Sequence, residues 1–175
     1  EYDESINKWK KAVELNPKYF FAYNNLGNAF LNLKKYEEAI TFFNKAIEIK
    51  PDFFDAHNNK GNALSRLNKY DDALLSYDKA IEIKPDSING YILKAHILSQ
   101  LDRLEEALDN YKSAYAINPE HPLLLGYIVH TKSKSCNWDD FQKDIETIKL
   151  NLEKEKKVSI PFTVLTIFDS PPVSY

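Results

Sequence analysis

The side chains best suited to chemistry in this chain are carboxamides. Asn24, Asn25 and Asn28 recur as Asn58, Asn59 and Asn62, each 34 residues further on. A carboxamide both donates and accepts hydrogen bonds. A ladder of them can therefore hold the backbone of an extended peptide without reading its side chains. Recurrence at a fixed spacing sets these residues apart from the solvated asparagines of a Lys- and Asn-rich surface. A third copy is incomplete: Leu93 interrupts it, although Asn89 and His96 remain polar nearby.

The other reactive side chains point away from catalysis. His57, His96, His121 and His130 form no close ligand pattern, so no metal site is expected. His57 reads as a core residue in an aromatic position. Cys136 has no His–acid pair at a recognisable spacing and is expected to pack under Trp138 rather than act as a nucleophile. The pairs Glu37-Glu38, Asp71-Asp72, Glu105-Glu106 and Asp139-Asp140 open helices, where negative charge offsets the helix dipole, and they read as structural. There is no Gly-rich phosphate loop. The aromatic residues, 13% of the chain, fall mainly at repeated positions, which makes them core and not a base-stacking platform.

What positions these residues is a repeat. Pro17, Pro51, Pro85 and Pro119 are each 34 residues apart, a period characteristic of stacked helix–turn–helix units. Residues 17–50 laid over 51–84 agree at roughly half of the positions. The shared positions include the small residues Gly27 and Gly61, Ala29 and Ala63, Ala39 and Ala73, and Ala46 and Ala80. Small residues allow two helices to cross closely. The pattern predicts helices at about 3–15, 19–32, 36–49, 53–66, 70–83, 87–100 and 104–117, with prolines in the first turn after each linker, where a missing N–H is no loss. Tyr36 and Tyr70 should cover the turns they follow.

These slots resemble those of tetratricopeptide (TPR) repeats. Counted from Phe20, Phe54 and Ile88, the fourth slot holds Tyr23, His57 and Tyr91, and the seventh and eighth hold Leu26-Gly27, Lys60-Gly61 and Lys94-Ala95. Further along come Ala39, Phe43 and Ala46, then Ala73, Tyr77 and Ala80, then Ala107, Tyr111 and Ala114. The resemblance implies an all-α, right-handed superhelix of helix–turn–helix repeats, closed by a C-terminal junction helix and a short irregular tail. It also implies that the first helices line a concave groove. The divisions are a half repeat at 1–17, repeats at 18–51, 52–85 and 86–119, degenerate capping helices at 120–157, and the start of a truncated downstream domain at 158–175. In a carboxylate-gripping TPR, basic residues would stand at Asn24, Asn28, Asn59, Asn89 and Leu93; none does, so that mode is not expected.

The chain of 175 residues has a formal net charge of −3, which argues against a general phosphate-binding surface, and hence against nucleic acid. No apolar run approaches the ~20 residues of a membrane-spanning helix. The lone cysteine suits a reducing compartment, and a cytoplasmic location is expected. The absence of any Met marks the chain as a fragment in this reading, as does its entry in mid-repeat.

The fourth repeat departs from the pattern. Residues 121–133 form a very apolar first helix, a candidate for self-association. Phe141, Ile145 and Ile148 replace the small and aromatic residues of the second helix, about 138–156. A phenyl ring at the crossing predicts that this helix splays away. The tail from Val158 could be a short strand on composition.

Cys136-Asn137-Trp138, followed by Val158 to Thr163 and Asp169-Ser170-Pro171, resembles the junction between TPRs and catalytic region in SPINDLY-type protein glycosyltransferases, the family that includes O-GlcNAc transferase. Asn137 stands where that family has Asp. The resemblance favours a short helix over a strand in the tail and implies that catalytic groups lie downstream. This chain would then have no transferase activity or cofactor of its own, and the parent would use a UDP- or GDP-sugar. In such arrays the ladder asparagines match Asn25 and Asn59, and a groove aspartate matches Asp55. The implied role is recruitment of protein substrates through the groove; the alternative is a free-standing scaffold or adaptor.

Overall fold

A computed structural model describes residues 2–121, 123–138 and 140–153. They form helices α1 (Tyr2–Leu15), α2 (Phe20–Asn32), α3 (Tyr36–Ile49), α4 (Phe54–Arg66), α5 (Tyr70–Ile83), α6 (Ile88–Gln100), α7 (Leu104–Ile117), α8 (Leu124–Lys134) and α9 (Phe141–Glu153), with no strand among the described residues. Two compact units divide at Lys94 and Ala95, inside α6. The tail from Val158, expected as a strand or short helix, lies outside the described residues.

In the first unit, consecutive helices pair as antiparallel hairpins, and the first helices α2 and α4 also touch one another. The crossing is built by a glycine facing an aromatic ring. A Cβ on Gly61 would lie 2.6 Å from Cε1 of Tyr77, and Gly27 faces Phe43 in the same way. The glycines therefore make room for a ring and not for a neighbouring backbone. Phe43 and Tyr77 are almost fully buried as a result, each contributing about 1.5–3 kcal/mol by area. α1 packs by Ile6, with Trp9 and Val13, on Leu26 and Ala29 of α2. Leu15 at its end remains exposed.

Each hairpin turns through a residue in the left-handed region at the same place in the repeat: Lys34, Asn68, Asp102 and Cys136, with φ of 59°, 58°, 58° and 53°; Asp140, at 54°, adds a second just before α9. Glycine is the usual occupant of such a helix terminus, yet none stands there. The backbone explains the conformation. Lys35 N–H donates to Phe30 O (2.9 Å) and Lys34 N–H to Leu31 O (2.9 Å), the paired bonds of a Schellman motif. Lys69 to Leu64, Arg103 to Leu98 and Asn137 to Lys132 repeat the longer bond. Tyr70 also reaches back, donating its hydroxyl to Asn68 Oδ1 at 2.7 Å, so it covers the turn as expected. Acidic pairs open α3, α5 and α7, all solvent-facing at the positive helix end.

The second unit corrects three expectations, and the first unit one. α9 does not splay away: Ile145 and Ile148 replace the usual small and aromatic residues and are buried against Leu125 and Val129 of α8, with Phe141 and Tyr115 alongside. Lys132 of α8, 6% exposed, reaches Asp144 of α9 at 2.6 Å and pins the pair. Longer apolar side chains fill the space that a close crossing would otherwise remove. The apolar residues of α8 that suggested self-association, Leu124, Leu125, Ile128 and Val129, are buried. Cys136 is exposed at the turn, not packed under Trp138. Trp138 is itself 61% exposed and meets Phe141 edge-on. In the first unit, His57 is only half-buried; its Nε2–H donates to Pro51 O at 2.8 Å and ties α4 to the linker before it.

Candidate functional site: the carboxamide ladder

Asn24, Asn25 and Asn28 lie on α2, and Asn58, Asn59 and Asn62 on the adjacent α4. They are not equivalent. Two couplings between slots decide which of them are available.

The first coupling joins successive repeats. Asn59 Nδ2 donates to Oδ1 of Asn24 at 3.2 Å, bridging α4 to α2. By the same symmetry Asn58 would receive a donor from position 93, but that residue is Leu. A leucine has nothing to donate. The Oδ1 of Asn58 is accordingly buried without a hydrogen-bond partner. Leaving such an acceptor unmet costs on the order of 1–3 kcal/mol, whereas replacing it by an apolar atom recovers that cost. Two asparagines in the same slot should therefore respond oppositely. Asn24→Ala is expected to destabilise the chain by about 1 kcal/mol, because Asn59 loses its acceptor, while Asn58→Ala is expected to be near neutral. Urea denaturation of the two variants checks this, and equal losses would contradict it.

The second coupling lies within a repeat. Where the second helix carries tyrosine, the first supplies a polar partner for its hydroxyl. Tyr77 donates to Asn62 Oδ1 at 2.9 Å. In the second unit, Tyr111 and His96 Nδ1 lie 3.0 Å apart. Burial pushes the Tyr77 and Tyr111 hydroxyls upward, Tyr111 to about 12, so both remain protonated at neutral pH. Burial also lowers the His96 pKa, which favours its neutral ring. In the remaining repeat the ring is Phe43, which has no hydroxyl, and Asn28 is left unclaimed.

The consequence is a narrower ladder than the sequence suggests. Asn25 and Asn28 are half-buried and make no side-chain hydrogen bond within the described residues. Asn59 keeps its carboxamide oxygen. Asn24 is 5% exposed, Asn58 is turned inward at its oxygen, and Asn62 serves Tyr77. Asp55 and Asn89 are exposed, in the first turns of α4 and α6. His96 belongs to the second unit, where it packs edge-on to Tyr127 and borders a cleft of about 530 Å³. The slot coupling was present in the sequence as a covariation: Asn28 with Phe43, Asn62 with Tyr77, His96 with Tyr111. Among the described residues no group of three or more metal-ligating side chains gathers, and no helix is long and apolar enough to cross a membrane.

Comparison with known proteins supports the same architecture. Profiles of the Tetratricopeptide repeat match residues 20–53, 54–87 and 88–121, and one described as TPR repeat matches residues 1–34. None of the curated proteins matches. Among solved structures, MamA from Desulfovibrio magneticus RS-1 is 19% identical with a TM-score of 0.77, covering 89% of this chain and 88% of that one. A second MamA structure is 17% identical, with a TM-score of 0.79 over 91% and 87% of the two chains. YrrB, described as a TPR protein with an unusual peptide-binding site, is 21% identical, with a TM-score of 0.69 over 84% and 76%. At these identities the likeness is one of fold.

Proposed function

Because this chain belongs to the tetratricopeptide repeat family, we propose that it is a protein-binding module whose first helices hold an extended peptide. The observation that carries this reading is the pair of unclaimed carboxamides, Asn25 and Asn28, beside the Asn24–Asn59 bridge. Polar groups half-withdrawn from water with no internal partner are poised to bond a peptide backbone, which offers one donor and one acceptor per residue. A neighbour in fold, YrrB, is described as having a peptide-binding site.

The test follows from which asparagines are free. Asn25→Ala combined with Asn28→Ala is expected to weaken binding of an unstructured peptide by about tenfold, at roughly 1 kcal/mol or less per lost bond. Thermal stability should hold, since neither side chain makes a hydrogen bond among the described residues. Asn59 is a poorer choice for this purpose, because its loss also breaks the bridge to Asn24. Unchanged affinity by calorimetry would remove the ladder.

A finer reading makes this the substrate-recruiting part of a SPINDLY-like glycosyltransferase. Its support is the Cys136-Asn137-Trp138 resemblance, together with the large exposed face of Trp138 beside Phe141. A reading frame continuing past Tyr175 into a two-lobed α/β glycosyltransferase would bear it out. A reading frame without one leaves a scaffold or adaptor.

A further inference from the structure

Phe21 stands on α2 with Asn25 and Asn28 at intervals of four and seven residues, so the three side chains share one stripe of the helix. Unlike a core phenylalanine, Phe21 is 45% exposed. Its ring is nonetheless held: Phe20 lies 4.6 Å from it and Phe53 5.1 Å, centroid to centroid. An exposed ring clamped by two others is a rigid platform next to the free carboxamides.

The surroundings define what such a platform would take. Three other rings are capped by a lysine ammonium: Lys50 over Phe20 at 5.4 Å, Lys84 over Phe54 at 5.8 Å and Lys35 over Phe30 at 5.9 Å. Phe21 has no such cation among the described residues. Asp55 occupies on α4 the slot that Phe21 occupies on α2, and it follows Phe53, the ring that clamps Phe21, by two residues. Its carboxylate is exposed and has no ion-pair partner among the described residues. An open aromatic face and an unpaired carboxylate at the same end of adjacent helices are complementary to a side chain that is cationic at its tip and apolar along its stem.

We propose that Phe21 and Asp55 form a selectivity subsite for an arginine or lysine side chain of the bound peptide. The carboxamides hold the backbone and read no sequence; the ring and the carboxylate add the sequence preference the ladder lacks. This rests on the peptide-binding reading above and assigns a residue preference to it.

The probes are three acetylated, amidated Gly-Ser peptides that differ only at one central residue: arginine, norleucine or glutamate. A cation over an exposed ring together with an exposed ion pair gives about a fivefold preference for arginine over norleucine, with glutamate weakest. Phe21→Leu should bring the arginine-to-norleucine ratio toward one, and Asp55→Asn should halve it and remove most of its salt dependence. The second variant keeps the test informative if the first disturbs the aromatic cluster. Equal binding of arginine and norleucine peptides to the unaltered chain overturns the subsite and leaves the ladder standing, as does a preference unchanged in both variants. Binding of none of the three peptides overturns the ladder and the subsite together.

Discussion

Lys132→Ala is expected to lower the stability of the second unit by about 3–5 kcal/mol, the usual result of removing one member of a buried ion pair. The Lys132 and Asp144 side chains are 6% and 19% exposed and meet at 2.6 Å. Removing the ammonium leaves a carboxylate with little water to replace it. The loss should be local, because each hairpin of a repeat array depends chiefly on its neighbours. Hydrogen exchange is the suitable readout: α9 amides should lose protection while those of α2 to α5 keep theirs. Replacing both partners, Lys132→Met with Asp144→Leu, should restore most of the stability, since an apolar pair carries no desolvation cost. Unchanged α9 protection in Lys132→Ala would show that Ile145 and Ile148 hold the helix without help.

Gly61→Leu is expected to cost about 3 kcal/mol, at the upper end for overpacking. In an ordinary helix, replacing glycine by a better helix former would stabilise by roughly 1 kcal/mol. Here the first added carbon already falls 2.6 Å from the Tyr77 ring, and three more follow it. The third repeat shows the limit of tolerance: Ala95 stands in the glycine slot with Tyr111 in the ring slot, and both are buried. One methyl is accommodated there. The clash predicts strong coupling in a double-mutant cycle, with Tyr77→Leu recovering much of the loss in Gly61→Leu. Additive effects would mean that ring and glycine do not compete for the same space.

The regular repeats were legible because one residue type decided each feature. Prolines marked the linkers, and glycine and alanine marked the crossings. The helices accordingly begin within about one residue of their expected positions. Features set by pairs of residues were harder to read. Whether Asn62 faces a ligand depends on the hydroxyl of Tyr77, fifteen residues away. Whether Asn58 is satisfied depends on what stands at 93. The fourth repeat misled for a related reason. Phe141 at the small-residue slot suggested a helix forced outward, but Ile145 and Ile148 changed together with it and are buried against Leu125 and Val129. The left-handed turns carry no glycine signal at all, since Lys34, Asn68, Asp102 and Cys136 share only their place in the repeat.

Peptide binding of the kind proposed requires contact with the first-helix face. Side-chain amide signals of Asn25 and Asn28, followed by NMR during titration with an unstructured peptide, test this most directly. Asn44, exposed on the second helix α3, serves as the control. The account predicts saturable shifts at Asn25 and Asn28 with Asn44 unmoved. Shifts centred on α3 and α5, with Asn25 and Asn28 silent, would contradict it.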